Sequence, residues 1–181
     1  FHFPNLNCIV ILDIDLSSTG HDLRGAEKNL QLYHQLAGRA GRAGKPATVY
    51  FQTYDSNSEV ISRITNSDPF KFLSNELKLR EKNNLPPFER FISLILTSKN
   101  EKKLKINSQK LKQYLRNNLN CRILGPINAP VYKIRNNFRN RMLIRSKKNV
   151  KIQHKLNLVL KKFRFPPGIK LTVDVDPITF N

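Results

Sequence analysis

Tryptophan is absent from this chain, methionine occurs only at Met142, and cysteine only at Cys8 and Cys121. Two thiols so far apart in sequence make neither a disulfide framework nor a metal-ligand spacing. They read as ordinary core or surface thiols of a reducing compartment, with Cys8 inside a buried-strand pattern. The histidines, His2, His21, His34 and His154, are scattered and carry no metal spacing either. No apolar run reaches the roughly 18 residues that a membrane-spanning helix needs. No G-x-x-x-x-G-K-S/T run and no DEAH-type acidic motif occurs, so the chain lacks the groups that cradle the β- and γ-phosphates and Mg2+ of ATP. Because it opens on Phe1 and holds its sole methionine at 142, it reads as a piece of a longer protein.

Acidic residues are scarce in one half only. The chain carries 32 Lys+Arg and 13 Asp+Glu, yet Glu101, Asp174 and Asp176 are the only acids beyond residue 90. A balanced first half followed by an intensely basic second half predicts two modules with different partners. Self-repulsion of that kind is relieved by a polyanion, and nucleic acid is the obvious one, since each phosphate contact releases counterions. Lysine and asparagine are abundant throughout, so part of the charge follows from overall composition.

What is present begins with Gln35-Leu-Ala-Gly-Arg-Ala-Gly-Arg-Ala-Gly-Lys45. If residues 25–41 are helical, Gln35, Arg39 and Arg42 fall at i, i+4 and i+7 on one stripe, with Ala26, Leu30, Tyr33 and Ala37 on the packing side. Two guanidinium forks one turn apart suit a polyphosphate, since each binds oxygens bidentately. The alternative is a glycine-arginine turn facing RNA or solvent. Upstream, Cys8–Asp15 is an apolar, β-branched run ending in carboxylates, which predicts a strand buried on both faces of a parallel sheet. Asp13 and Asp15 share a face at the carboxyl edge, where open α/β sheets bind ligands. With the helix and the run Ala47–Tyr54 it makes one βαβ unit.

Asp68 and Pro69 open a helix as N-cap and first helical residue, and Asn83–Pro87 stops it. Phe70, Leu73, Leu77 and Leu85–Phe88 are expected to staple the modules together. Beyond it the pattern predicts a strand at Phe91–Thr97, a helix at Glu101–Leu119, short strands at Cys121–Leu124 and Ala129–Ile134 separated by a Gly-Pro turn, a strand at Phe138–Arg145, a helix at Val150–Phe163 and a strand at Leu171–Asp176. That order is β-α-β-β-α-β, the ferredoxin-like arrangement. The expected organisation is residues 1–66, 67–90 (connecting helix and Pro-Pro turn) and 91–181. The hairpin of the second module concentrates Lys133, Arg135, Arg139, Arg141 and Arg145, interleaved with Tyr132 and Phe138. Basic groups there could track a phosphate backbone while a ring stacks on a base; equally, the rings could be core and the arginines a solvated face. Asp174 and Asp176 are too few oxygen ligands for a metal site and are expected to pair with Lys or Arg.

The spacing Q-x-x-G-R-x-G-R resembles motif VI of superfamily-two helicases. QLAGRAGRAGK, together with Phe3-Pro4, the DID ending at 13–15, the E-L-x-x-R helix at 76–80, Pro86-Pro87-Phe88, Leu124-Gly125-Pro126, Ala129-Pro130 and VDVDP at 173–177, resembles the primosomal replication-restart helicases over nearly the whole chain. The resemblance implies an α/β protein: the end of a second RecA-like lobe, with a parallel sheet, followed by a basic ferredoxin-like (βαββαβ) DNA-binding domain. It implies that Arg42 is the catalytic arginine finger, Arg39 a second phosphate contact and Gln35 a positioning residue toward ATP and Mg2+. It implies that any Zn2+ is held by an upstream cysteine-rich insertion outside this sequence. The parent would be a cytoplasmic, bacterial ATP-dependent DNA helicase, and the piece alone would be inactive. Forked and single-stranded DNA, single-stranded DNA-binding protein with its acidic tail, and primosome proteins are the implied partners, with no membrane. The family's hairpin carries a further arginine and tryptophans where this chain has Asn137, Phe138 and Asn140. Another superfamily-two RNA or DNA helicase, or a standalone nucleic-acid-binding protein, is the alternative.

Overall fold

Strand β1 (Cys8–Ile11) pairs in parallel with β2 (Thr48–Phe51), setting Val10 beside Tyr50, and helix α1 (Gly25–Ala37) lies between them in the chain. Two parallel neighbours need such a crossover, which makes this a βαβ unit. The computed structural model describes residues 6–14, 23–38, 47–57, 61–62 and 68–178. The chain divides into two units, Phe1–Leu77 and Lys78–Asn181. Its class is mixed α/β, with one parallel and one antiparallel sheet.

In the first unit Ile14, Leu30, Tyr33, Ile61 and Phe72 form the core, with Ile11 and Phe51 packed against it. Tyr33 meets the Phe51 ring edge-on at 5.2 Å. Leu30 and Tyr33 thus lie on the packing side, as their helical spacing predicts. The expectation that β1 is buried on both faces does not hold. Val10 is 56% and Leu12 71% exposed, and Cys8 is exposed as well. The core covers the Ile11 side alone, and among the described residues no element covers the other.

Helix α2 (Pro69–Lys82) starts where the Asp68 carboxylate accepts the Phe70 N–H at 3.1 Å, and it ends as the Leu85 N–H returns to the Arg80 carbonyl at 2.8 Å. Phe72 and Arg80 are its buried residues. Of the expected staple residues, Phe70, Leu73, Leu77 and Phe88 are exposed, and Leu85 and Pro86 are half-buried.

The second unit runs β3 (Glu89–Ser98), α3 (Glu101–Asn118), β4 (Arg122–Ile134), β5 (Asn137–Lys147), α4 (Ile152–Lys162) and β6 (Lys170–Val175). Its sheet has the order β4-β5-β3-β6, antiparallel throughout. Alternation sorts the strands. Ile92, Leu94 and Leu96 of β3 and Met142 and Ile144 of β5 meet Leu104, Leu111 and Leu115 of α3 and Ile152 and Leu156 of α4, all almost fully buried. Burying one such side chain contributes about 1.5–3 kcal/mol. Within this core the Ser108 hydroxyl donates to the Leu104 carbonyl at 2.8 Å and accepts the Asn140 amide N–H at 3.3 Å, while the Asn140 amide oxygen is buried without a hydrogen-bond partner.

The expected break of β4 into two strands at Gly125-Pro126 is instead an irregularity within one strand. The register with β5 shifts between Leu124 and Ile127. Gly125 has φ +87°, and a Cβ there would sit 2.7 Å from the Arg141 carbonyl oxygen. Only glycine lets the strand bulge at so close an approach.

Candidate nucleic-acid interface

The tip of the β4–β5 hairpin is a two-residue turn in which Arg135 (φ 46°) and Asn136 (φ 60°) both take left-handed conformations. Two consecutive positive φ angles match the right-handed twist of the flanking strands, and asparagine tolerates them well. The Asn137 amide donates to the Arg135 carbonyl at 3.1 Å and steadies the tip. Lys133 pairs across the strands with Phe138, and its ammonium stands 5.0 Å from that ring. Tyr132 packs on the same ring at 5.5 Å.

The aromatic and the arginine positions diverge from here. Phe138 and Asn140 alternate with Arg139 and Arg141 along β5. Phe138 is packed against the main core and Asn140 is buried in it. Arg139 and Arg141 therefore project from the sheet face opposite α3 and α4. Across that face Arg139 pairs with Thr97, and Thr97 with Lys170; Arg141 pairs with Ile95, and Ile95 with Thr172. The Arg139 guanidinium donates to the Val131 carbonyl at 3.3 Å. Burial pushes the Arg141 pKa below its ordinary value, yet a guanidinium remains cationic at neutral pH. Base stacking on Phe138 from the arginine face is thus not offered by this packing.

Arg145 is committed elsewhere. Its Nε donates to Glu89 Oε2 at 2.9 Å, and its Nη2 donates to the Asn84 carbonyl at 2.7 Å and the Asn83 carbonyl at 3.3 Å. The guanidinium also lies 5.1 Å from the Phe91 ring. It thereby ties the loop after α2 to the sheet rather than offering its donors to a ligand. Asp176 reaches Arg90 at 3.6 Å, the cation pairing its sequence context predicts.

Sequence reasoning passed over Lys99, Lys103 and Lys170. Together with Arg135 and Arg139 they line a cup of about 670 Å³ at the hairpin end of the sheet, and among the described residues no carboxylate lines it. Lys99 and Lys103 flank the start of α3, where the Asn100 side chain accepts the Lys103 N–H at 2.9 Å. The Lys103 ammonium donates to the Pro167 carbonyl. Pro166-Pro167-Gly168-Ile169 is a turn closed by the Ile169 N–H on the Pro166 carbonyl at 3.3 Å, with Gly168 at φ +83°. A type II turn demands that conformation at its third position.

In the first unit Gln35 lies exposed on α1. The helix is capped at Gly38, short of the expected end at Gly41; glycine is a poor helix former, and its N–H closes on the His34 carbonyl at 2.9 Å. Arg39 and Arg42 lie outside the described residues, as does Asp15. Asp13 (φ 51°) lines a small hollow with Gln52, Thr53 and Tyr54 at the carboxyl ends of β1 and β2. One oxygen of its carboxylate is buried without a hydrogen-bond partner. Cys121 is half-buried, and burial raises its thiol pKa, which makes it a poor nucleophile at neutral pH.

Residues 81–178 match the family model of the primosomal protein N C-terminal domain. Over 180 residues and 99% of its length, the chain is 36% identical to the replication restart protein PriA of Rickettsia typhi. It is 31% identical over 98% of its length to that of Treponema pallidum, and 28% over 97% to that of Bacillus subtilis. The chain spans 28%, 27% and 22% of the lengths of these three relatives. With a family model covering more than half of it, the chain belongs to the family of the primosomal protein N C-terminal domain.

Proposed function

We propose that this chain is the C-terminal part of an ATP-dependent DNA helicase that restarts replication at forked DNA. The observation that carries the reading is its end-to-end similarity to proteins named for replication restart, across a unit whose sheet presents Arg139 and Arg141 opposite its helices. The first unit is the end of a second RecA-like lobe, a reading supported by the parallel β1–α1–β2 unit. The second has the ferredoxin-like arrangement, supported by its element order and by the strand order β4-β5-β3-β6. Lys133, Arg135, Arg139 and Arg141 contact the phosphates of forked or single-stranded DNA. In the whole protein, Gln35, Arg39 and Arg42 face ATP and Mg2+ held by the other lobe, and Arg42 stabilises the departing phosphoryl group. Lacking a phosphate-cradling loop in its sequence, this piece alone does not turn ATP over. Single-stranded DNA-binding protein and primosome proteins are the proposed partners, in the bacterial cytoplasm.

DNA-stimulated ATP hydrolysis by the whole protein tests this reading. Arg42→Ala lowers the turnover itself. Arg139→Gln with Arg141→Gln raises the concentration of forked DNA needed for half-maximal stimulation and leaves the DNA-free rate unchanged. Turnover unaffected by Arg42→Ala would contradict the finger assignment, and an unshifted DNA requirement would contradict the DNA-binding surface.

A further inference from the structure

We propose that the cup at the hairpin end of the second unit's sheet is a nucleotide subsite, which takes one nucleotide of a single strand and grips its flanking phosphates. This rests on the nucleic-acid reading above and gives it a place. The cations arrive from three separate elements: Lys99 and Lys103 from the β3–α3 joint, Arg135 and Arg139 from the hairpin, and Lys170 from the start of β6. Sheet register makes this convergence specific, since Thr97 pairs with Arg139 on one side and Lys170 on the other. The Thr97 hydroxyl donates to the Lys170 carbonyl at 3.3 Å and ties the row together.

Shape and lining set the ligand class. About 670 Å³ falls within the usual range of small-molecule pockets, about 300–1,000 Å³, and accommodates a nucleotide. Ile134 and Ile169 supply apolar wall for a base or sugar. The Lys103 ammonium, braced on the Pro167 carbonyl, is a fixed positive charge beside the α3 N-terminus, where backbone dipoles favour an anion. Five cations from three directions exceed what one terminal carboxylate of a peptide uses. They match a strand that enters and leaves with a phosphate on either side of the held base. Among the described residues no aromatic ring lines the cup, so the subsite holds its nucleotide by phosphate contacts and apolar walls rather than by ring stacking.

The test is binding of a fluorescent pentathymidylate to the full chain across a salt series. Lys99→Gln with Lys170→Gln is compared with Lys110→Gln with Lys161→Gln, two exposed helix lysines away from the cup. Both pairs remove the same charge, and none of the four side chains is buried. The expected result is about a tenfold loss for the cup pair, with the log–log salt slope shallower by about 1.4, against less than about a twofold loss for the helix pair. The methyl resonances of Ile134 and Ile169 are expected to shift on titration of the wild-type chain. Equal losses in the two pairs, no loss in either, or unmoved methyls would overturn the cup while leaving DNA binding standing. Absence of salt-dependent binding by the wild-type chain would overturn the nucleic-acid reading and the cup with it. A poly-glutamate peptide that binds more tightly than pentathymidylate and suffers the cup pair's loss would overturn the nucleotide assignment in favour of an acidic peptide.

Discussion

Arg145 reaches diagonally across the β3–β5 ladder to Glu89, with Nε and Oε2 2.9 Å apart and both side chains largely sheltered from water. Its Nη2 donates to two loop carbonyls, and the guanidinium lies over the Phe91 ring. Arg122 is the β4 residue directly opposite Arg145, a like-charge pairing that Glu89 offsets. Arg145→Ala is expected to destabilise the second unit by about 2 kcal/mol, the scale of charge-assisted hydrogen bonds with some solvent screening. Urea unfolding measures it. The salt slope of DNA binding should stay within error of wild type, which separates this arginine from Arg139 and Arg141. An unaltered unfolding midpoint, or a slope reduced as by Arg141→Gln, would contradict the assignment.

Gly125→Ala should be far more costly than its one added methyl suggests. The substitution meets the Arg141 carbonyl oxygen at 2.7 Å and forces alanine to φ near +87°. Left-handed strain alone costs about 1–2 kcal/mol, and the clash adds to it. Thermal unfolding is expected to shift down by about 10 °C, as a loss of about 2 kcal/mol implies for a unit of this size. A variant as stable as wild type would mean that the bulge is not held there.

A pH effect follows from Glu101 and Lys105, one helical turn apart at 2.6 Å on α3. The Lys105 ammonium holds the Glu101 carboxyl below its ordinary value of 4.5, and Glu101 holds the Lys105 pKa above its ordinary 10.5. A depressed carboxyl stabilises the fold above its unfolded pKa and loses that contribution as pH falls through the folded pKa. A raised ammonium does so below its unfolded pKa and loses it as pH rises through the folded one. The pair is therefore fully formed between those two ordinary values and fades outside them. Carbon-detected titration of Glu101 should give a midpoint below 4.5 that moves up in Lys105→Gln; an unmoved midpoint would contradict the pairing.

Much of the second unit is legible in its sequence, and the reason is periodicity. Leu104, Leu111 and Leu115 recur at helical spacing, and β5 alternates Met142 and Ile144 with Arg141 and Arg145, so the buried side of each element can be read off. Pairing across strands is another matter. Nothing local to Arg145 distinguishes it from Arg139; Glu89, fifty-six residues earlier, does so once β3 lies beside β5. The cup was illegible for the same reason, since Lys99 and Lys170 are ordinary lysines until Thr97 brings β6 and β5 to its two sides. In the first unit an apolar run implied burial on two faces, whereas Val10 and Tyr50 are each more than half exposed. The Gly-Pro pair looked like a turn because a bulge uses the same residue types.

The electrostatic character of the second unit's surface is tested most directly by the salt dependence of fork DNA binding to the wild-type chain. Each phosphate neutralised on duplex DNA contributes about −0.9 to the slope of log K against log salt. With Lys133, Arg135, Arg139 and Arg141 engaged, the account predicts a slope of about −3 or steeper, shallower by about 2 in Arg139→Gln with Arg141→Gln. A flat response in the wild-type chain, or a slope that this double substitution leaves unchanged, would contradict it.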